Sequence, residues 1–300
     1  MDVFQGFFFR KFGIMWIIVL IVIIAALAAV IYHDTHNFKI YEYEVSTDKV
    51  SGNYTFVFLT DLHNYVFGKD NERLIEAIDN IHPDAVISGG DMFTAHTRDG
   101  KFHSEIAFSL LKKLAKRYPL YISNGNHEEK IKELNKLYGN AFERYKNSLK
   151  REGIVYLDNE SAYFNDDIRI TGLCLPTAYF KKIVKKEMEE TLLSKKIGEL
   201  SLADKEKFQL LIAHNPLYFD EYRKWGADLT VSGHVHGGII RLPLIGGVIS
   251  PAITLFPKYD GGKYEKDGRT MILSRGLGTH TIHVRLFNPG EVSVIRVRGN

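Results

Sequence analysis

Five short apolar runs, each of strand length and each ending in an aspartate, asparagine or histidine, constrain this chain more than any other feature. Residues 54–60 (YTFVFLT) lead into Asp61-Leu62-His63, and 84–90 (DAVISGG) into Asp91. Residues 119–125 (PLYISNG) lead into Asn126-His127, 208–213 (FQLLIA) into His214-Asn215-Pro216, and 228–233 (DLTVSG) into His234-Val235-His236. Continuous apolar runs of this length mark strands buried on both faces. Between them, 71–81 carries Leu74, Ile75 and Ile78 at helical spacing, and 104–117 carries Ile106, Leu110, Leu111 and Leu114. Strands alternating with helices indicate an α/β layered fold. Ligand sites in open α/β sheets lie outside the carboxyl ends of the strands, so five such ends can share one cleft. A lone histidine is usually structural; five metal-competent ends on five strands are not explained that way.

Towards the C-terminus the pattern turns purely β, at 270–274, 282–286 and 292–297. Two packed sheets flanked by helices is the expected architecture. Residues 180–200 space Phe180, Ile183, Val184, Met188, Leu192 and Ile197 among lysines and glutamates, which predicts a helix or helix pair covering the core. Residues 239–257 are apolar and rich in Gly and Pro. They are expected to form a buried hairpin, the other reading being an apolar lip that receives acyl chains.

A second feature is separate from these. Residues 12–32 hold no charge, and their 21 positions at about 1.5 Å each match the roughly 30 Å core of a bilayer. A secretory h-region is shorter, about 7–15 residues, and a soluble helix would carry a polar stripe. The expected organisation is a tail at 1–11, a transmembrane helix at 12–32, a linker with a possible edge strand (40–45) at 33–50, and one domain at 51–300. Arg10 and Lys11 precede the span and Asp34 follows it, which predicts a cytoplasmic N-terminus and an extracytoplasmic domain. A net charge of +3 gives no reason to expect a nucleic-acid partner, and a single cysteine, Cys174, excludes an internal disulfide and a thiolate metal cluster.

Carboxylate, imidazole and amide donors favour manganese, iron or zinc over calcium. Two ions about 3.5–4 Å apart can activate water and stabilise in-line displacement at phosphorus. At these residues (DLH, GGD, GNHE, AHNP and GHVHGG, in that order) the chain resembles the calcineurin-like metallophosphoesterases. RLPLIGG and SRGLGTH resemble the membrane-associated bacterial branch of that family.

The resemblance implies a two-sheet β-sandwich flanked by helices and two divalent ions, with a hydroxide shared between the ions as nucleophile. By position, Asp61, His63 and His236 would hold one ion and Asn126, His214 and His234 the other, with Asp91 bridging. His127 would protonate the leaving oxygen or stabilise the transition state. The substrate would be a phosphomonoester, phosphodiester or pyrophosphate, with lipid-linked and cell-envelope compounds both conceivable. The rival reading is a non-catalytic membrane-tethered metal-binding module, although all eight positions are filled. No P-loop or nucleophile elbow points elsewhere.

Two positions depart from the family pattern. Met92-Phe93-Thr94 stands where an Asp or Asn often follows the aspartate, which puts one supporting hydrogen bond in doubt, and Ala213 replaces a glycine. Arg275 and His96 are further candidates for substrate contact, the alternative for Arg275 being a structural ion pair. Asn64 and Asn215 can support the ligands beside them. His103, His280 and His283 are expected at the surface or in packing.

Overall fold

The computed structural model describes residues 3–95, 102–181, 186–238, 240–242, 245–249, 255–279 and 283–300. Helix α1 (Val3–His36) is followed by strands β1 (Phe38–Thr47) and β2 (Asn53–Leu59), helix α2 (Glu72–Ile81), β3 (Ala85–Ser88), α3 (Glu105–Ala115) and β4 (Leu120–Ile122). Helices α4 (Asn126–Glu133), α5 (Asn135–Tyr138) and α6 (Ala141–Arg151) lead to β5 (Val155–Tyr156), β6 (Ser161–Tyr163) and β7 (Ile168–Leu173). Then come α7 (Leu192–Ile197), α8 (Leu202–Lys205), β8 (Phe208–Ala213), α9 (Phe219–Trp225) and β9 (Leu229–Ser232). The last strands are β10 (Ile240–Leu242), β11 (Gly246–Ile249), β12 (Gly262–Lys266), β13 (Arg269–Leu273) and β14 (Gly290–Gly299).

Two six-stranded sheets result, in the orders β1-β14-β2-β3-β4-β5 and β12-β13-β9-β8-β7-β6. Within them β2, β3 and β4 run parallel, as do β7, β8 and β9. Strand β2 shows how the sequence builds the layers. Its side chains alternate, so Phe56 and Phe58 enter the core between the sheets while Val57 and Leu59 face the helices. The intersheet core adds Ile87, Ile170, Ile212 and Val231, all fully buried. On the outer face of the first sheet, Leu74 and Ile78 of α2, Leu110 and Leu114 of α3 and Leu149 of α6 close the second core. Leu193, Ile197 and Tyr222 of α7 and α9 cover Leu211 and Ala213 on the other sheet. Each fully buried Leu, Ile or Phe contributes about 1.5–3 kcal/mol, and both faces of every central parallel strand are covered. The expected sandwich flanked by helices is therefore the observed fold.

Four expectations need revision in detail. In the stretch 33–50 the possible edge strand at 40–45 is present as β1, at the edge of its sheet and paired with β14 over its whole length, and only the linker before it is shorter, because α1 continues to His36. Asn288 N donates to Asp34 Oδ2 (2.9 Å) and Arg285 N to Thr35 Oγ1 (3.3 Å), which buries the end of the helix against the domain. The apolar segment 239–257 does contain a hairpin, β10 with β11, but it forms its own two-stranded sheet. Belonging to neither large sheet, it leaves Ile245, Leu255 and Phe256 more than half exposed instead of buried. The strand expected at 282–286 reduces, among the described residues, to one bridge from Leu286 to Ile240. Of the helix or helix pair expected across 180–200, the described residues hold α7, which packs Leu193 and Ile197 against the core; Ile183 and Val184 lie outside the described residues.

Among the described residues, one helix, Gly13–His36, is long and apolar enough to cross a membrane, with a mean hydropathy of 3.3.

Candidate metal centre

The carboxyl ends of β2, β3 and β4 in one sheet and of β8 and β9 in the other meet at one edge of the sandwich. Loops leaving these ends carry the predicted residues. His63 Nε2 lies 3.3 Å from His236 Nε2 and 3.8 Å from Asp61 Oδ1, and His236 Nε2 lies 3.3 Å from Asp61 Oδ1. His214 Nε2 is 3.2 Å from Asp91 Oδ2 and 3.7 Å from Asp61 Oδ1. Asp91 Oδ2 is also 4.0 Å from Nε2 of both His63 and His127. Donor atoms of Asp91, His214 and His234 lie within 4.8 Å of one another, as do those of Asp61, His63 and His236. Asp61, His63, Asp91, His127, His214 and His236 are all buried.

The backbone is bent to make this possible. Asp61, His63, Asp91, His234 and His236 all have φ between 49° and 74°, a region that non-glycine residues seldom occupy. Each such residue stores on the order of 1–2 kcal/mol, a cost that tends to collect at functional sites. Neighbouring glycines allow the loops to touch: a Cβ on Gly125 would sit 2.3 Å from Asp91 Oδ1.

Hydrogen bonds set which nitrogen each histidine presents. His214 Nδ1 donates to Gly89 O (2.8 Å) and His236 Nδ1 to Gly278 O (3.3 Å), since a carbonyl can only accept. Both rings therefore turn Nε2 towards the carboxylates, the arrangement that prepares a histidine to bind a metal. His63 Nδ1 meets Thr94 Oγ1 at 3.2 Å, so the threonine that departs from the family pattern supplies the contact that was in doubt. His127 is the opposite case. Ala95 N donates to its Nδ1 (2.8 Å), which must therefore be the acceptor, and the proton of the neutral ring sits on Nε2. A neutral ring in that state carries its N–H on Nε2, 4.0 Å from Asp91 Oδ2.

The electrostatics match a cation site. Burial works against the charge on Asp61, yet the imidazoles of His236 and His214 and the His63 hydrogen bond hold its carboxyl below the usual range. Asp91 behaves likewise: burial is outweighed by His214, His127 and His63. For His214 burial favours the neutral ring, but Asp91 and Asp61 push its pKa up to about 9. Two buried carboxylates thus need positive charge between them.

The donor set fits two divalent ions. Ligand atoms about 2.1 Å from one ion at near-tetrahedral angles stand roughly 3.4 Å apart, close to the spacings found here. Asn126 Oδ1 is buried without a hydrogen-bond partner among the described residues, as a missing ligand would leave it.

Other candidates fall outside this centre. His96 and His280 lie outside the described residues. Asn215 caps the turn that follows it and bonds Tyr179 O, and Asn64 donates to His103 O. His283 Nδ1 meets Thr279 Oγ1. Arg275 forms an ion pair with Glu291 (3.5 Å) and donates to Tyr41 OH (2.6 Å).

Sequence reasoning missed three supporting residues. Buried Glu128 accepts from the backbone N–H of Asp91 (2.8 Å), Met92 (3.0 Å) and Gly125 (3.0 Å), tying the β3 and β4 loops together. Burial and the charge of Asp91 raise its pKa to about 8, against the pull of those N–H groups. Its place three residues after Gly125, the helix N-cap, is a capping-box spacing that could have revealed it. Asn288 Nδ2 donates to His236 O and Gly238 O, both at 2.7 Å. Arg285, 2% exposed, donates to the carbonyls of Arg275, Gly276 and Gly278. Neither Asn288 nor Arg285 stands near a motif, so no local signal marks them.

Comparison with known proteins agrees with this geometry. The profile of the calcineurin-like phosphoesterases matches residues 54–238, well over half of the chain. The chain belongs to the calcineurin-like phosphoesterase family. It is accordingly a metal-dependent phosphoester hydrolase of a family that binds divalent metals. The phosphoesterase is 24% identical over 277 residues to an uncharacterised metallophosphoesterase of Aquifex aeolicus, covering 91% of this chain and 97% of that one. It is 24% identical over 274 residues to the uncharacterised metallophosphoesterase YkuE of Bacillus subtilis, covering 89% and 88%. Phosphodiesterase YaeI of Escherichia coli is 26% identical over 234 residues, 75% of this chain and 76% of that one.

Proposed function

We propose that this phosphoesterase is a dinuclear hydrolase held at a membrane by α1, with phosphodiesters as its first-choice substrates among phosphomonoesters, phosphodiesters and pyrophosphates. The observation that carries the reading is the position of Asp91, buried between two sets of donors, with one oxygen within 4.0 Å of His63, His127 and His214. Asp61, His63 and His236 would hold one ion and Asn126, His214 and His234 the other. Asp91 is the residue suited to serve both, because a carboxylate has two oxygens to offer where an amide or neutral imidazole has one free donor atom. The mixture of donors suits manganese, iron or zinc. Bound there, two such ions supply Lewis acidity and charge stabilisation for displacement at phosphorus. His127 offers its Nε2 proton to the leaving oxygen. With Nδ1 accepting from Ala95 N–H, that is the ring's one proton and giving it up would leave an imidazolate, so the role of His127 is to hydrogen-bond the developing charge through Nε2–H. The preference for a diester follows the similarity to the Escherichia coli phosphodiesterase YaeI.

The division of the chain is a membrane helix that enters the catalytic domain without an intervening linker. Arg10 and Lys11 ahead of the apolar run, against Asp34 after it, place the N-terminus in the cytoplasm and the catalytic domain outside. The test uses the full chain in detergent with added manganese and an aryl phosphodiester. Turnover should vanish with chelator and with Asp91→Ala. Activity that survives both treatments rejects the centre.

A further inference from the structure

Two cavities lie between the end of α1 and the metal centre. One, about 490 Å³, is lined by Ala29 and Val30 of α1 together with Lys39, Tyr41, Phe287 and Pro289. The other, about 430 Å³, is lined by Arg241, Leu242, Ile245, Asp260, Arg275 and Phe287. Phe287 borders both, and Tyr41 of the first receives a 2.6 Å hydrogen bond from Arg275 of the second, whose guanidinium stands 4.3 Å from the tyrosine ring. The two spaces are therefore neighbours along one face. At its far end this face reaches the metal centre: Arg241 and Arg275 both pack around Gly237, the residue after His236.

The rim of the same face is apolar and open. Ile245 is 60% exposed and Phe287 43%. Phe287 holds φ at 55°, a conformation that a bulky side chain adopts only when the surroundings impose it. Water is a poor neighbour for such a rim, and α1 fixes what covers it. The helix that supplies Ala29 and Val30 is apolar enough to span a bilayer, and its Asp34 and Thr35 are hydrogen-bonded to Asn288 and Arg285, on either side of Phe287. The rim is thus held at the level where the helix leaves the apolar layer. Arg241 pairs with Asp260 and Arg275 with Glu291. A guanidinium carries five N–H donors, more than these contacts use, and its fork suits a phosphate.

We propose that the two cavities form one entry path for a membrane amphiphile carrying a phosphate ester. Its chain lies beside α1, the rim formed by Ile245 and Phe287 sits in the lipid interface, and its headgroup passes Arg275 and Arg241 to the metal centre. The inference rests on the reading of α1 as a membrane helix and of the centre as a phosphoesterase.

The test reconstitutes the full chain in phosphatidylcholine–phosphatidylglycerol nanodiscs. A fluorophore is attached at single cysteines replacing Ile245, Phe287, Ile21 in α1, or Leu202. Leu202 is 83% exposed and lies just before the N-terminal end of β8, away from the centre. Cys174 is fully buried and stays in place, the unsubstituted chain serving as labelling control. Nitroxide-bearing lipids should quench the labels at Ile245→Cys, Phe287→Cys and Ile21→Cys and leave Leu202→Cys bright. Rim labels as bright as Leu202→Cys beside a quenched Ile21→Cys overturn the path while the anchor stands; a bright Ile21→Cys overturns both. In the same nanodiscs, kcat/KM should be about tenfold higher for a long-chain alkyl aryl phosphodiester than for its methyl analogue. Equal values overturn the path, whereas hydrolysis of neither ester points instead to failure of the phosphoesterase reading.

Discussion

Gly90→Ala separates the effect of position from that of chemistry, because it leaves every proposed ligand in place. Gly90 has φ 86°, and a Cβ added there would lie 1.9 Å from Gly125 N, where ordinary contact starts near 3.4 Å. The two backbones must therefore part by about 1.5 Å (3.4 − 1.9). One of these segments carries Asp91 and the other carries Asn126 and His127, and they are joined by the bond from His127 N to Asp91 Oδ1 at 2.7 Å. Moved by that amount, the bond lengthens to roughly 4.2 Å and is lost. Misplacement of about 1 Å can cost on the order of 100-fold in rate, so kcat/KM should fall at least about 100-fold on an aryl phosphodiester at saturating manganese. Metal content by mass spectrometry should drop below two ions per chain. Backbone strain alone is controlled by Gly153→Ala, where φ is 84° and nothing lies within 4 Å of the new Cβ. That variant pays about 1–2 kcal/mol of strain and should keep activity within about twofold. If Gly90→Ala holds two ions and stays within threefold of the parent, close packing of the β3 and β4 loops does not position the centre.

Three further outcomes are expected. Asn288→Ala removes both hydrogen bonds that hold His236 O and Gly238 O, and should weaken metal binding about 10–100-fold in a competitive titration; unchanged affinity would show that His236 is held by other contacts. Asp158 pairs with Lys132 (2.6 Å) and Lys146 (2.9 Å), and although burial opposes the charge, those lysines lower its carboxyl pKa. A depressed folded-state pKa stabilises above the unfolded value and is lost as pH falls through the folded one. Asp158→Asn should therefore cost about 2 kcal/mol at pH 7, a cost that shrinks as the pH falls below the usual aspartate range, as followed by denaturant unfolding across an acid pH series. In the metal-free protein His214 keeps its proton up to about pH 9, so metal uptake at pH 7.5 should release protons. Calorimetry in buffers of different ionisation enthalpy measures this, and a release of zero would place His214 outside the coordination sphere.

The sequence by itself determined the strands, the order of the donors and the apolar helix. Local rules suffice for these: β2, β3, β4, β8 and β9 announce themselves as buried runs, and Asp61, Asp91, Asn126, His214 and His234 follow their ends by chain order alone. The apolar span likewise depends only on length and composition. Tertiary structure decided the rest. The parallel pairing of β1 with β14 joins residues some 250 positions apart, so the partner of the expected edge strand was not legible from its own stretch. Glu128, Arg285 and Asn288 act through backbone groups of distant loops, so their own neighbours in sequence say little about them. The same holds for the hairpin after His236: its composition reads as core, but among the described residues β10 and β11 join neither large sheet, and Leu242 and Ile245 are left exposed. Burial is a property of what packs on top, and a chain does not carry that information at the residue being covered.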